Sequence, residues 1–65
     1  MRDVKTVLRG LRKKRGWSQA EVARRAKVTD AYVAMLETGK KRNPSLAVLK
    51  RLARALRVPV AELLG

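Results

Sequence analysis

The sequence predicts an all-α fold, a compact domain of five short helices. Three observations predict it. The apolar residues are almost entirely Leu, Val and Ala, with aromatics reduced to Trp17 and Tyr32. They recur at helical spacing, with none of the aromatic and β-branched runs that favour a sheet. Ser or Thr also stands repeatedly one position ahead of these segments, where it caps a helix. At 65 residues the chain is a single domain, 1–65, with no repeat, linker or low-complexity stretch. A chain this short buries only about 60% of the surface it exposes when unfolded, so its stability depends on economical packing.

Helix 1 is expected over residues 2–15. Val4, Val7, Leu8 and Leu11 form one apolar stripe, Lys5, Arg9, Lys13 and Lys14 occupy the other faces, and Gly16 ends the helix. In the stretch WSQAEV, Ser18 is the N-cap and Glu21 can reach back to the Ser18 amide, a capping box stapled by Trp17 and Val22. Helix 2 then spans 19–26, with Val22, Ala23 and Ala26 facing inward. Thr29 caps helix 3, 30–38, in which Val33 and Leu36 face the core and Gly39 is the stop. Two short capped helices three residues apart form a helix-turn-helix. The loop GKKRNP follows, and Ser45 caps helix 4, 46–56, whose Leu46, Leu49, Leu52, Ala53 and Leu56 keep one face apolar. Pro59 opens helix 5, 60–64, placing Val60, Leu63 and Leu64 on one side.

Charge narrows the function. Seventeen Lys and Arg against five acids give a formal net charge of +12, and the natural partner of such a surface is a polyanion, because each phosphate neutralised releases condensed counterions. A soluble basic surface without a partner is the blander reading. Without Cys or His there is neither a disulfide nor a structural zinc site, and no metal or cofactor is expected. The five acids do not cluster, and no nucleophile–base pair is evident, so an enzyme is not expected. No apolar run is long enough to span a bilayer, and MRDVKTVLRG lacks the apolar core of a signal peptide. The expected location is cytoplasmic, on the nucleoid when bound to DNA.

Four segments carry a resemblance. LRKKRGWSQAEVA, VTDAYVAMLETGKK, PSLAVLKRLARAL and VPVAELL follow one another, from about Leu8 to Leu64, at a spacing that resembles the Cro/CI-type (XRE) helix-turn-helix domains of phage repressors and bacterial regulators. The resemblance implies a lambda-repressor-like fold. It also implies sequence-specific binding of double-stranded DNA through the major groove by a transcriptional regulator, a repressor acting as a homodimer on a two-fold operator. No small-molecule effector is expected within this chain.

Residue by residue, the resemblance puts Thr29, Asp30, Ala31, Ala34 and Met35 against base edges. It puts Ser18, Gln19, Tyr32, Thr38, Lys40, Lys41, Arg42 and Asn43 against phosphates, with Arg15 or Lys27 as additional grips. The alternative for Gln19 is a tolerated first helical residue. Arg12 and Glu37 match a structural ion pair locking helix 1 to helix 3, the alternative being a surface pair of Glu37 with Lys40 or Lys41. Lys27 and Arg57 replace frequent glycines, and Pro59 replaces a frequent Ser cap.

Within this frame the window VTDAYVAML is informative, because it contains no Lys or Arg and its single charge is Asp30. Phosphate contacts position a protein and base contacts select the sequence, so the window is expected to read while the residues beside it grip. Two other readings stand beside this one. An antitoxin-like or adaptor protein would need an exposed apolar patch, for which Val60, Leu63 and Leu64 are candidates; the same residues could be core or a homodimer seam. A basic amphipathic membrane-binding helix could occupy residues 1–15.

Overall fold

The computed structural model describes residues 3–41 and 43–64. Its helices are α1 (Val4–Lys14), α2 (Gln19–Ala26), α3 (Asp30–Thr38), α4 (Leu46–Leu56) and α5 (Val60–Leu64). α1 is shorter than the 2–15 read from the sequence. Asp3 is its N-cap, with extended backbone and a carboxylate that accepts the Thr6 amide at 3.0 Å, so helical geometry begins only at Val4. Ser18, Thr29 and Ser45 do the same work for α2, α3 and α4, accepting the amides of Glu21, Tyr32 and Val48 at 3.0, 3.0 and 3.2 Å. Each satisfies one of the donors that a helix start leaves orphaned.

The reciprocal half of the capping box at Ser18 is not made. The Glu21 carboxylate turns along the helix instead and accepts from both Arg24 and Arg25. Two charged guanidinium groups one turn away outcompete a single neutral amide.

Three helix ends share one device. After α1, α2 and α4 the chain enters the left-handed region at Gly16 (φ 72), Lys27 (φ 59) and Arg57 (φ 58). The next amide then returns to a carbonyl five residues back: Trp17 to Arg12 at 3.2 Å, Val28 to Ala23 at 2.9 Å and Val58 to Ala53 at 3.0 Å. This is the Schellman arrangement. Only the first uses glycine; at Lys27 and Arg57 a side chain tolerates a conformation that disfavours any Cβ.

The helices close into a ring of contacts: α1 packs on α3 and α5, α2 on α3 and α4, and α4 on α5. Inside the ring lie Val7 and Leu8 from α1, Val22, Ala23 and Ala26 from α2, and Val33 and Leu36 from α3. Leu49, Leu52, Ala53 and Leu56 from α4 and Leu63 from α5 complete the core. Ala23 is small enough to let the neighbouring helices approach. Two expectations are corrected here. Leu46 does not belong to the inward face of α4; it sits in the first turn, beyond the end of the core, and is 56% exposed. Leu63 cannot belong to a dimer seam, because it is fully buried where α5 meets α1 and α4. Of the seam residues, Leu64 is exposed and Val60 half-buried.

Candidate nucleic-acid interface

α3 is buried on one side only. Val33, Leu36 and Glu37 face inward, while Asp30, Ala31, Met35 and Thr38 are exposed and Tyr32 and Ala34 are half-buried. The outward residues recur at positions 31, 34, 35 and 38, one helical stripe. The stripe carries methyl groups, a thioether and a hydroxyl but no cation. A major groove about 12 Å wide admits a helix presented this way, and such side chains address thymine methyls and base-edge donors. Asp30 lies at the N-terminal tip, the end that enters the groove first in a helix-turn-helix.

The residues expected to read bases therefore share one exposed end and face of α3, with two qualifications. Thr29 is the N-cap and its Oγ1 already accepts the Tyr32 amide, so what it can still offer is its hydroxyl proton and methyl group. Ala34, half-buried, presents only a methyl.

The positive charge begins where α3 ends. Gly39 takes a left-handed conformation, φ 86, and a Cβ there would reach within 3.5 Å of Lys5 Cδ. Beyond it the Lys41 amide donates back to the Met35 carbonyl at 3.1 Å, and the Thr38 hydroxyl donates to the same oxygen at 3.3 Å. The Lys41 ammonium then lies 5.5 Å from the centre of the Tyr32 ring, a cation–π placement. Thus Lys41 lies beside two residues that share its expected phosphate role: its ammonium is at the ring of Tyr32, from the first turn of α3, and its amide shares an acceptor with Thr38, in the last turn. Lys40 and Asn43 are exposed beside them; Arg42, assigned with them, lies outside the described residues.

Ser18 and Gln19 stand at the start of α2. Ser18 uses its oxygen as a cap but keeps its hydroxyl proton. The first-turn amides of α2 that Ser18 does not occupy, with the positive end of the helix dipole, are the kind of donors that attract an anion. Glu21 would repel an anion there, but its carboxylate is drawn to Arg24 and Arg25, which hold its pKa below the ordinary value. Gln19 is half-buried, and its Nε2 donates to Glu37 Oε1 at 3.2 Å.

That bond joins Gln19 to the centre that fixes α3. Arg12 Nε donates to Glu37 Oε2 at 2.7 Å and Arg12 Nη2 to Glu37 Oε1 at 2.9 Å, a two-point pair, while Arg12 Nη1 reaches the Trp17 carbonyl at 2.8 Å. The two side chains are 12% and 4% exposed, which leaves no surface pair of Glu37 with Lys40 or Lys41. Burial on its own would raise the Glu37 pKa. The hydrogen bonds from Arg12 and Gln19, together with the charges of Arg12 and Arg9, outweigh it and hold the carboxyl below its ordinary value.

Arg15 is exposed but partly engaged within the domain. Its Nη2 donates to the Leu56 carbonyl, one of the orphan acceptors at the end of α4, and its guanidinium lies 5.2 Å from the Trp17 ring centre. Arg25 covers the same ring at 4.2 Å. Both of these roles are absent from the sequence reading, because spacing along the chain does not reveal which carbonyl or ring an arginine will reach. Lys27, the other extra grip, is exposed.

Comparison with known proteins follows the same outline. A helix-turn-helix family profile matches residues 8–63. The crystal structure of the restriction-modification controller protein C.AhdI from Aeromonas hydrophila superposes with a TM-score of 0.87 and 35% identity, over 92% of this chain and 89% of that one. The clp gene regulator ClgR from C. glutamicum superposes with a TM-score of 0.82 and 30% identity, over 92% of this chain and 77% of that one. Among curated proteins there is no significant match.

Proposed function

The chain belongs to the Cro/CI-type (XRE) family of helix-turn-helix proteins, and from that premise we propose that it is a repressor that lays α3 in the major groove and occludes a promoter as a homodimer on a two-fold operator. DNA-binding regulation of transcription, not catalysis, is the business of this family. The observation that carries the finer reading is the separation of charge around α3. Its exposed stripe is free of cations, while Lys40, Lys41 and Asn43 follow at one end and the start of α2 offers donors of the kind that attract an anion.

In this arrangement Lys40, Lys41, Arg42 and Asn43 hold the backbone on one side of the groove, and Ser18 and Gln19 hold it on the other. Asp30 accepts from cytosine N4, Ala31, Ala34 and Met35 contact thymine methyls, and Thr29 contributes its hydroxyl or methyl. The few base contacts of one protomer give modest selectivity, and a second protomer doubles them. Leu64 and the exposed part of Val60 are the apolar surface α5 offers to that partner. With Leu63 in the core, the same remnant gives an adaptor reading no specific support.

The test is selection of bound sequences from a random DNA pool, with stoichiometry measured on the winner. A palindrome holding two protomers supports the dimeric regulator. No enrichment over random DNA overturns it.

A further inference from the structure

Two helix ends of this domain are built alike and lie side by side. α2 closes on ARRAKV (23–28) and α4 on ARALRV (53–58), each with a left-handed residue in fifth place and a Val amide returned to the first Ala. Because α2 packs on α4, these ends bound a cleft of about 430 Å³ whose charged walls are Arg25, Lys27, Arg51, Arg54 and Arg57.

No acid lines the cleft. Arg25 is already engaged by Glu21 and Trp17, but Lys27, Arg51, Arg54 and Arg57 have no acidic partner among the described residues. Helix dipoles account for a basic residue at the end of α2 and of α4. They do not account for Arg51, nearly two turns earlier, and at the two left-handed positions they act against a Cβ penalty that glycine would not carry. Concentrated like charge held against backbone preference points to a ligand that supplies the missing negative charge.

We propose that this cleft binds the phosphodiester backbone of a second DNA duplex while α3 occupies the groove of the first; this rests on the DNA reading of α3 given above. Arginine predominates, and its planar fork matches phosphate oxygens in pairs. The remaining lining residues are Ala26 and Ala55. Two methyl groups supply no large apolar anchor of the kind that holds a protein partner. Nor does Trp17 or Tyr32 line the cleft to stack the bases of a single strand. No residue of α3 or of the loop after it contributes to the cleft, so its lining is distinct from the residues assigned to base edges.

The test uses the full chain bound to an immobilised duplex of the selected sequence, to which a fluorescent duplex of unrelated sequence is added. Arg51→Glu/Arg54→Glu is compared with Lys14→Glu/Lys50→Glu, an equal charge change at exposed positions outside the cleft. The expected result is co-capture of the second duplex by wild type and by the control pair, with about a tenfold loss in the cleft pair. Retention of the cleft pair on the first duplex shows that it is folded. Equal co-capture by both pairs, or equal loss in both, overturns the proposal. So does calorimetric binding of inorganic tripolyphosphate without any second-duplex capture, which would make the cleft a small-anion site. If wild type is not retained on the first duplex, the reading of α3 fails; if it is retained but recruits nothing, only the cleft proposal fails.

Discussion

Arg12 and Glu37, 25 positions apart, form a two-point ion pair that fixes the angle between α1 and α3. Through the same guanidinium α1 also holds the Trp17 carbonyl, and through the same carboxylate α3 holds Gln19. One buried acid therefore ties together both helices of the helix-turn-helix and the helix before them. Truncating one partner leaves the other charge buried and unmatched, which costs about 3 kcal/mol or more. Glu37→Ala is expected to lower the melting temperature by roughly 12 °C or more. Thermal unfolding of Glu37→Ala, Arg12→Ala and the double variant checks this: if the single losses simply add, the two residues are not coupled.

Acid should weaken the fold in a defined window. The Glu37 pKa is lowered in the folded state, so the contribution of the pair is complete above the unfolded value, about 4.3, and is lost as pH falls through the lower folded value. Asp3, which accepts the Thr6 amide, and Glu21, which accepts from Arg24 and Arg25, are lowered in the same direction. Stability is expected to vary little from neutrality to about pH 5 and to fall below it. Unfolding curves of wild type and Glu37→Gln should converge as the pH drops; curves that stay parallel would show that Glu37 does not set the acid limit.

Base reading and backbone grip should respond differently to substitution. Asp30→Ala is expected to relax preference at one cytosine position by about 1–3 kcal/mol while leaving affinity for random DNA little changed. Lys41→Ala is expected to weaken binding to all sequences alike and to lower the salt dependence by about one unit. Titrations on the selected site and its single-base variants, at several salt concentrations, separate the two. A Lys41→Ala loss confined to one base pair would contradict a backbone role.

Lys27 stands at a left-handed position, φ 59. Lys27→Gly is expected to stabilise the domain by up to about 1 kcal/mol, since it removes the Cβ penalty while sacrificing a cation at the end of α2. A denaturant midpoint that falls instead of rising would mean that the lysine side chain stabilises the turn by more than its backbone strains it.

Much of the fold was legible because it is written in local chemistry. Ser18, Thr29 and Ser45 announce helix starts through hydrogen bonds that span three residues, and Val22, Val33, Leu52 and Leu56 announce inward faces by spacing alone. What spacing does not carry is the destination of long side chains. Glu21 could turn back to Ser18 or forward to Arg24 and Arg25, and Arg15 could reach phosphate or the Leu56 carbonyl; only the packed geometry decides. Leu63 and Leu64 are adjacent apolar residues on a five-residue helix, and which of them is buried depends on how α5 sits against α1 and α4. The exposed stripe of α3 was legible for the opposite reason: a helix that buries Val33 and Leu36 must turn positions 31 and 35 away.

The Trp17 ring is approached by the guanidinium groups of Arg15, at the end of α1, and Arg25, at the end of α2, while its carbonyl is held by Arg12. Arg15 in turn reaches across to the last turn of α4. The sole indole of the chain thus occupies the joint where three helices are fastened. Its emission is therefore expected to serve as a label-free optical gauge of whether that joint is closed.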